Sequence, residues 1–387
     1  MLQTFTLICF SIVVYCYIVY PLLLRILSSF KKNNDVCFST IDSLPGVSII
    51  MAAYNEEKVI GDKIASILKS TYPSANIEVL IGSDNSTDRT DLIIKEYAAR
   101  NPTIRFFPFT ERTGKTGIIN ELVKQSSNEL LILTDANVMF DEQTIFMLIR
   151  HFKNTTIALV DSRMMNTGIR REGISLQEKT YIQAEVYIKN YEGKLWGTMM
   201  GPFGGCYAMR KSFFHPVPVN FLVDDFYINM QVMLHGGKCI NEINALAFED
   251  AANDPRVEFR RKVRIAAGSF QNLFHFFYVL LKPGAIAFCF LSHKVLRWFG
   301  PVFILLFFAG SILLRHNTFF LILLAGSVMV FTAPLLDYII RKGLKMHLPG
   351  LKFLSHFTTS NAAQLLGLLR YLSGIKSGIW EPTARHQ

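Results

Sequence analysis

Val47-Ser48-Ile49-Ile50-Met51-Ala52-Ala53-Tyr54-Asn55-Glu56-Glu57 decides the fold class. Apart from Ser48, the stretch Val47 to Ala52 is apolar and hardly alternates. That is the pattern of a strand covered on both faces, as parallel sheets require. The polar residues that follow place Asn55 as a helix N-cap, with Glu56 and Glu57 in the first turn. Val59, Ile60, Ile64, Ile67 and Leu68 then recur at helical spacing. A buried strand running straight into an amphipathic helix is the start of a βα unit.

The pattern repeats downstream. Ile77 to Gly82 reads as a second strand and ends in Ser83-Asp84-Asn85-Ser86-Thr87-Asp88, a polar string that caps a helix over about 87–99. Ile104 to Phe107 reads as a third strand. Leu130 to Leu133 reads as a fourth and ends at Thr134-Asp135-Ala136-Asn137. Alternating strands and helices predict an α/β domain over about 45–270, with a mainly parallel sheet and flanking helices. Ligands of such sheets lie beyond the carboxyl ends of the strands, where the acidic strings converge.

Half of the 387 residues are apolar and 18% are charged, against about 25% in an average soluble domain. The apolar excess is concentrated at the two ends. Phe5 to Leu24 has no charge and the length of a bilayer span, and Arg25, Lys31 and Lys32 follow it. Positive charge after the run, not before it, argues for an anchor with the next domain cytoplasmic, and against a signal peptide. Trp298 to Leu314 and Phe319 to Leu336 are two further spans, with Arg341, Lys342 and Lys345 behind the second. Lys282-Pro283-Gly284 divides Leu273 to Leu291 into halves too short to cross, so an interfacial or re-entrant element is expected there, with a full span as the alternative. Leu348 to Leu372 mixes Leu with Ser, Thr, Asn, Gln and His, as a surface-lying amphipathic segment does. The domain organisation expected is an anchor over 1–30, a cytoplasmic catalytic domain over 45–270 and a membrane region over 271–387. This describes a multi-pass protein of the inner (cell) membrane.

The net charge of +10 suits anionic lipid and phosphorylated substrates, and no nucleic-acid-binding signature accompanies it. Cys9, Cys16, Cys37, Cys206, Cys239 and Cys289 lie far apart with no CxxC pair, so buried reduced thiols are expected.

Several strings carry chemistry. Arg112-Thr113-Gly114-Lys115 sets two cations about a glycine, which suits a diphosphate, although the spacing of a Walker loop is absent. Asp135 and Asn137 stand at alternate positions and can hold a divalent cation against phosphates. Gly201-Pro202-Phe203-Gly204-Gly205-Cys206 lets backbone approach a ligand closely. Asp224-Asp225 sets two carboxylates side by side among apolar residues, which raises a carboxyl pKa and favours a general base; the pair would serve equally well as a helix cap. Arg260-Arg261-Lys262-Val263-Arg264 can meet lipid headgroups or a leaving diphosphate.

Taken in order, AAYNEE, SDNSTD, RTGK, TDAN, GPFGG, VDD and RRKVR resemble the layout of glycosyltransferase family 2 on a GT-A fold, in its integral-membrane branch. The resemblance implies that Ala53, Tyr54 and Glu56 line the nucleotide pocket, that Asp84 meets the base and that Lys115 meets the nucleotide. It implies that Asp135 and Asn137 take the DxD position for ribose and for Mg2+ or Mn2+, and that Gly204 and Gly205 form the sugar or acceptor loop. Asp225 matches the base that deprotonates the acceptor, with Asp224 as its alternate. Arg261 and Arg264 match the diphosphate-facing part of the QxxRW element. The sequence departs from the family at Asn137, at Asp224 in place of Glu, and at the QxxRW position, which lacks both Gln and Trp. The implied activity is inverting transfer from a nucleotide sugar, with a UDP-sugar expected, to a lipid-linked or polysaccharide acceptor. The alternatives are a processive polysaccharide synthase subunit, which would form a homo-oligomer or borrow a partner, and an inactive nucleotide-sugar-binding membrane scaffold.

Overall fold

A computed structural model describes residues 1–167, 175–250, 254–344, 346 and 348–375, with only the backbone of 175–181. Lys345, one of the cations read as following the last span, lies outside the described residues. Eight strands form one sheet: β1 (Val47–Ala53), β2 (Ile77–Asp84), β3 (Ile104–Phe109), β4 (Leu130–Asp135), β5 (Val138–Phe140), β6 (Ile157–Thr167), β7 (Cys206–Arg210) and β8 (Lys238–Asp250). Their order across the sheet is β3-β2-β1-β4-β7-β6-β8-β5.

The first half is parallel, with β1 between β2 and β4 and β3 outside β2. Every residue of β1 is buried, as its unbroken apolar run requires. The second half is mixed. β7 runs antiparallel to β4 and β6, while β6 and β8 are parallel. The sheet is therefore a mixed α/β sheet with flanking helices, parallel across β3, β2, β1 and β4 and again between β6 and β8.

Two local readings change. Asn55 does not cap the following helix, which begins at Ile60. It has φ 52°, and its side-chain oxygen accepts from Thr87 N–H at 2.8 Å, tying the loop after β1 to the loop after β2. The second helix starts at Thr90 rather than 87, where Asp88 accepts from Thr90 N–H at 2.9 Å.

By internal contacts the chain divides into two units. One comprises Leu24–Arg171 and Tyr181–Asn253 with the last residues, and contains the whole sheet. The other comprises Met1–Leu23, Glu172–Thr180 and Asp254–Gly374. Among the described residues, two helices are long and apolar enough to cross a membrane, Leu2–Ser29 (its last turns in the sheet unit) and Thr318–Gly343. The span read at 298–314 is instead a bent pair, Ala285–Trp298 and Gly300–Leu313, meeting at 58°. Gly300–Leu313 has 14 residues, about 21 Å of helix, so it is too short to cross without its partner. Pro349–Leu372 is a continuous helix packed along Pro255–His275 and Thr318–Gly343, and it is not a solitary surface segment. Its polar residues serve that packing. Thr358 donates to the Val330 carbonyl at 2.8 Å, and His356 Nε2 lies 3.0 Å from Lys262 Nζ.

Candidate active site

Parallel register aligns three strand ends. Ala52 pairs with Asp135 and Ala53 with Ser83, so Asp84 stands one step beyond the same level. β7 enters antiparallel beside β4, with Cys206 opposite Thr134. This sets Gly204-Gly205 against the Asp135 end: Gly205 O accepts from Asp135 N–H at 3.1 Å and from the Thr134 hydroxyl at 2.8 Å.

Asp84 is fully buried and organises the loop that carries the cations. Its carboxylate accepts from Thr113 N–H at 2.6 Å, from Gly114 N–H at 3.2 Å and from Arg112 Nε at 3.0 Å. The Arg112 guanidinium in turn covers the Tyr54 ring, 3.4 Å from its centre. Asp84 thus spends its oxygens on the Arg112–Gly114 loop. Gly114, at φ 80°, makes the turn into the Gly114–Gln125 helix.

Lys115 opens that helix and reaches across the cluster. Its ammonium lies 2.8 Å from Asp135 Oδ1 and 3.5 Å from Asp224 Oδ2. Burial alone would lower its pKa, but Asp135 and Asp224, with Asp225 behind them, hold it well above the usual lysine range. The same helix is bound to the segment leading into the Asp pair. Asn120 makes a reciprocal pair with the Val217 backbone at 2.8 and 2.9 Å, and Thr116 donates to Val219 O at 3.1 Å.

Asp224 and Asp225 form the first turn of the Asp224–Leu234 helix, with Val223 at the N-cap position, so neither side chain is the cap read from the sequence. Asp225 accepts from Phe226 N–H at 2.6 Å. Burial and the neighbouring Asp224 carboxylate push the Asp225 carboxyl up to about 7, against the opposing pull of Lys115. Gly204 is required by this carboxylate: a Cβ there would overlap Asp225 Oδ2 and Cγ. A Cβ on Gly205 would press on Met164 and Val138.

The structure therefore brings Asp84, Lys115, Asp135, Gly204, Gly205, Asp224 and Asp225 into one constellation. Ala53, Tyr54 and Glu56 belong to its rim; Glu56 N–H donates to Thr90 Oγ1 at 2.8 Å. Asn137 turns its amide away, donating to Glu249 at 3.1 Å. Arg261 and Arg264 stand on the Pro255–His275 helix of the second unit. There Arg261 makes a bidentate pair with the buried Glu258, at 2.8 and 2.9 Å.

Among the described residues, no three His, Cys, Asp or Glu converge as a metal site. Asp135, Asp224 and Asp225 instead surround the Lys115 ammonium without converging on one point, and the carboxylate oxygens of Asp135 are hard donors. That donor set fits Mg2+ or Mn2+ held by Asp135 together with phosphate oxygens and water.

Sequence reading missed the groups that hold the glycine loop. Glu192 accepts from Met200 N–H at 3.0 Å, Asn229 from Gly201 N–H at 2.9 Å, and Asp161 from Phe203 N–H at 3.1 Å. Asp161 is paired with Lys189 at 2.5 Å, and that ammonium also covers the Phe203 ring. Lys63 was missed as well. It lies buried behind β4, donates to Thr134 at 2.9 Å and to Val138 O, and burial lowers its pKa to about 7. For Asp161, an acid inside the otherwise apolar strand run Ile157 to Val160 was the available signal.

Comparison with known proteins agrees with this geometry. Residues 48–217 match the model of glycosyl transferase family 2. Poly-beta-1,6-N-acetyl-D-glucosamine synthase of Staphylococcus epidermidis is 34% identical over 108 residues, covering 28% of this chain and 26% of the relative. The protein of that name from S. epidermidis strain RP62A is 25% identical over 279 residues, 70% of this chain and 66% of the relative. The chain thus spans less than two thirds of the length of these relatives. Mannosyltransferase PcManGT from Pyrobaculum calidifontis, solved with GDP-Man and Mn2+, superposes with a TM-score of 0.73 at 18% identity, over 96% of this chain and 99% of that one. That likeness establishes the GT-A fold. Residues 48–217 thus match a glycosyl transferase family 2 domain, and the sheet that carries them has the GT-A fold.

Proposed function

We propose that this enzyme moves a hexosyl or N-acetylhexosaminyl group from a nucleotide sugar, of the UDP class, to a lipid-linked or polysaccharide acceptor at the cytoplasmic face of the membrane. The observation that carries this reading is Asp225, a half-buried carboxylate raised to about 7, set against Gly204 beside the Lys115–Asp135 pair. The two apolar helices, Leu2–Ser29 and Thr318–Gly343, support a multi-pass arrangement with an anchor, a catalytic domain and a membrane region.

The reaction is one inverting displacement. Asp225 takes the proton of the acceptor hydroxyl as that oxygen attacks the anomeric carbon, with Asp224 as the alternate base. The transition state has oxocarbenium character. The leaving group is a nucleoside diphosphate, which needs no general acid, and Lys115 offsets its growing charge as it departs. Asp84 positions Lys115 by clamping the preceding loop. Tyr54 and Glu56 form the rim that receives the nucleotide, and Gly204-Gly205 leave room for the sugar. Asp135 is the residue that would hold Mg2+ or Mn2+, with Asn137 as the second position the sequence offers, and the ion would supply Lewis acidity to the phosphates.

Asp225→Asn tests the assignment. Transfer falls by at least about 10²-fold while nucleotide-sugar binding persists; transfer at a near wild-type rate overturns it. A second reading, polymer synthesis, is favoured by the similarity to poly-beta-1,6-N-acetyl-D-glucosamine synthase along 70% of this chain. The absence of Gln and Trp around Arg261-Lys262-Val263-Arg264 favours addition of one or a few sugars. A donor screen in native membranes, with and without Mn2+, followed by sizing of the product, separates the two.

A further inference from the structure

Away from the sugar site, the linker after the first apolar helix carries a second reactive arrangement. Cys37 Sγ lies 3.4 Å from His151 Nδ1. His151 Nε2 lies 2.7 Å from Glu242 Oε2. Glu242 is itself fixed, since its other oxygen accepts from Asn244 N–H at 2.8 Å. Burial would raise the Glu242 carboxyl, but His151 and that N–H hold it below its ordinary value. An ionised carboxylate can only accept, so Nε2 carries the ring proton, and the Nδ1 lone pair faces both the thiol and Asn34 Nδ2–H, while Sγ also reaches the Asn34 carbonyl at 3.6 Å. Asn34 Nδ2 stands 3.1 Å from the same Nδ1 and 3.5 Å from Sγ, and Asn154 holds Asn34 at 2.9 Å.

Nucleophile, base and orienting carboxylate in series are the arrangement that activates a thiol toward a carbonyl. His151 is 6% exposed, whereas Cys37 is accessible and the other five cysteines are buried. The sequence expectation of six buried thiols therefore fails at Cys37. The linker has other fastenings at this point, Phe38 N–H to Arg150 O at 2.8 Å and Lys153 to Asp42 at 2.9 Å, so anchoring does not require the series.

Location selects the electrophile. Cys37 follows closely on the apolar Leu2–Ser29 helix, and Phe30, Val36 and Ile41 around it are exposed. A thiol eight residues after the end of an apolar helix, in a segment that exposes Phe30, Val36 and Ile41, suits a fatty acyl chain. We propose that Cys37 is an S-acylation site that takes a long-chain acyl group from an acyl thioester. Sγ attacks the thioester carbonyl carbon as His151 Nδ1 takes the thiol proton. The bond from that carbon to the leaving sulfur then breaks, and the leaving thiolate takes the proton from His151. The products are an acylated Cys37 and a free thiol, with no change of oxidation state. Glu242 acts as a positioning residue.

The test uses the full-length protein in nanodiscs with alkyne-tagged palmitoyl-CoA, reading hydroxylamine-labile label and its site by peptide mapping. The expected result is up to one label per chain, on Cys37, absent in Cys37→Ser and slowed at least about tenfold in His151→Gln. Glu242→Gln, which keeps the thiol and the imidazole, is slowed as well and stands in where His151→Gln alters the melting temperature. Label spread over several cysteines, equal rates in wild type and both variants, or rapid iodoacetamide alkylation of Cys37 with no acyl transfer each overturns the proposal.

Discussion

Replacing Asp224 with Asn removes one negative charge next to the proposed base and leaves the base itself intact. Burial and then Asp224 are the largest causes that raise the Asp225 carboxyl to about 7. A like charge roughly 6 Å away at an effective dielectric of about 20 is worth about 2.8 kcal/mol, or about two pKa units. Lys115, 3.5 Å from Asp224, already cancels part of that charge, so about one unit remains to be lost. Asp225 must be ionised to accept a proton, so activity rises as pH rises through its pKa. The acid limb of kcat/KM therefore moves from about pH 7 toward about pH 6 in Asp224→Asn. At pH 6 the ionised fraction rises from about one tenth to about one half, about a fivefold gain relative to the plateau. Stability has a defined sign too. A carboxyl whose folded pKa lies above its unfolded value costs stability progressively as pH rises from about 4 to about 7, and the cost then stays. The substitution reduces that cost, by about 1.4 kcal/mol for one unit, at pH 8. The assay is initial rate against pH at low donor concentration, with thermal melts at pH 5 and pH 8. An unmoved acid limb refutes the electrostatic argument. Complete loss of transfer at every pH refutes the assignment of Asp225 and moves the base to Asp224.

Three further outcomes follow from the same geometry. Gly204→Ala places a Cβ on the Asp225 carboxylate, so kcat falls by at least about tenfold with donor affinity retained; unchanged kcat in a steady-state assay refutes the close approach. Asp84→Ala leaves Arg112, Thr113 N–H and Gly114 N–H without their acceptor, costing about 3 kcal/mol of stability and loosening Lys115. Calorimetric titration should then show weaker donor binding, and unaltered affinity argues against Asp84 as the clamp. Lys189→Met strands the buried Asp161 carboxylate at a cost of about 3–5 kcal/mol by chemical denaturation, most of which Asp161→Asn added to it restores. Equal losses in the single and double variants refute that pairing as the source.

The sequence by itself determined the parallel half of the sheet, the apolar ends and the identity of the strand-end acids. These are local properties: an unalternating apolar run such as Val47–Ala52 fits a strand covered on both faces, and a polar string behind it marks the strand's end. The mixed half of the sheet was not legible, because whether β7 runs parallel or antiparallel to β4 depends on a partner 72 to 80 residues distant in the chain, not on its own pattern. The glycines of 201–205 could be read as permitting close approach, but only the folded chain named the group approached, the Asp225 carboxylate. Asp84 shows the same division. Its place at a strand end is a matter of sequence, whereas its commitment to Arg112, Thr113 and Gly114 exists only when β2 and the following loops meet. Asn55 read as a cap and Cys37 as a buried thiol because composition carries no information about which surface faces which. Tertiary structure decided both, since hydrogen bonds between residues distant in sequence form only when packing brings their partners within reach.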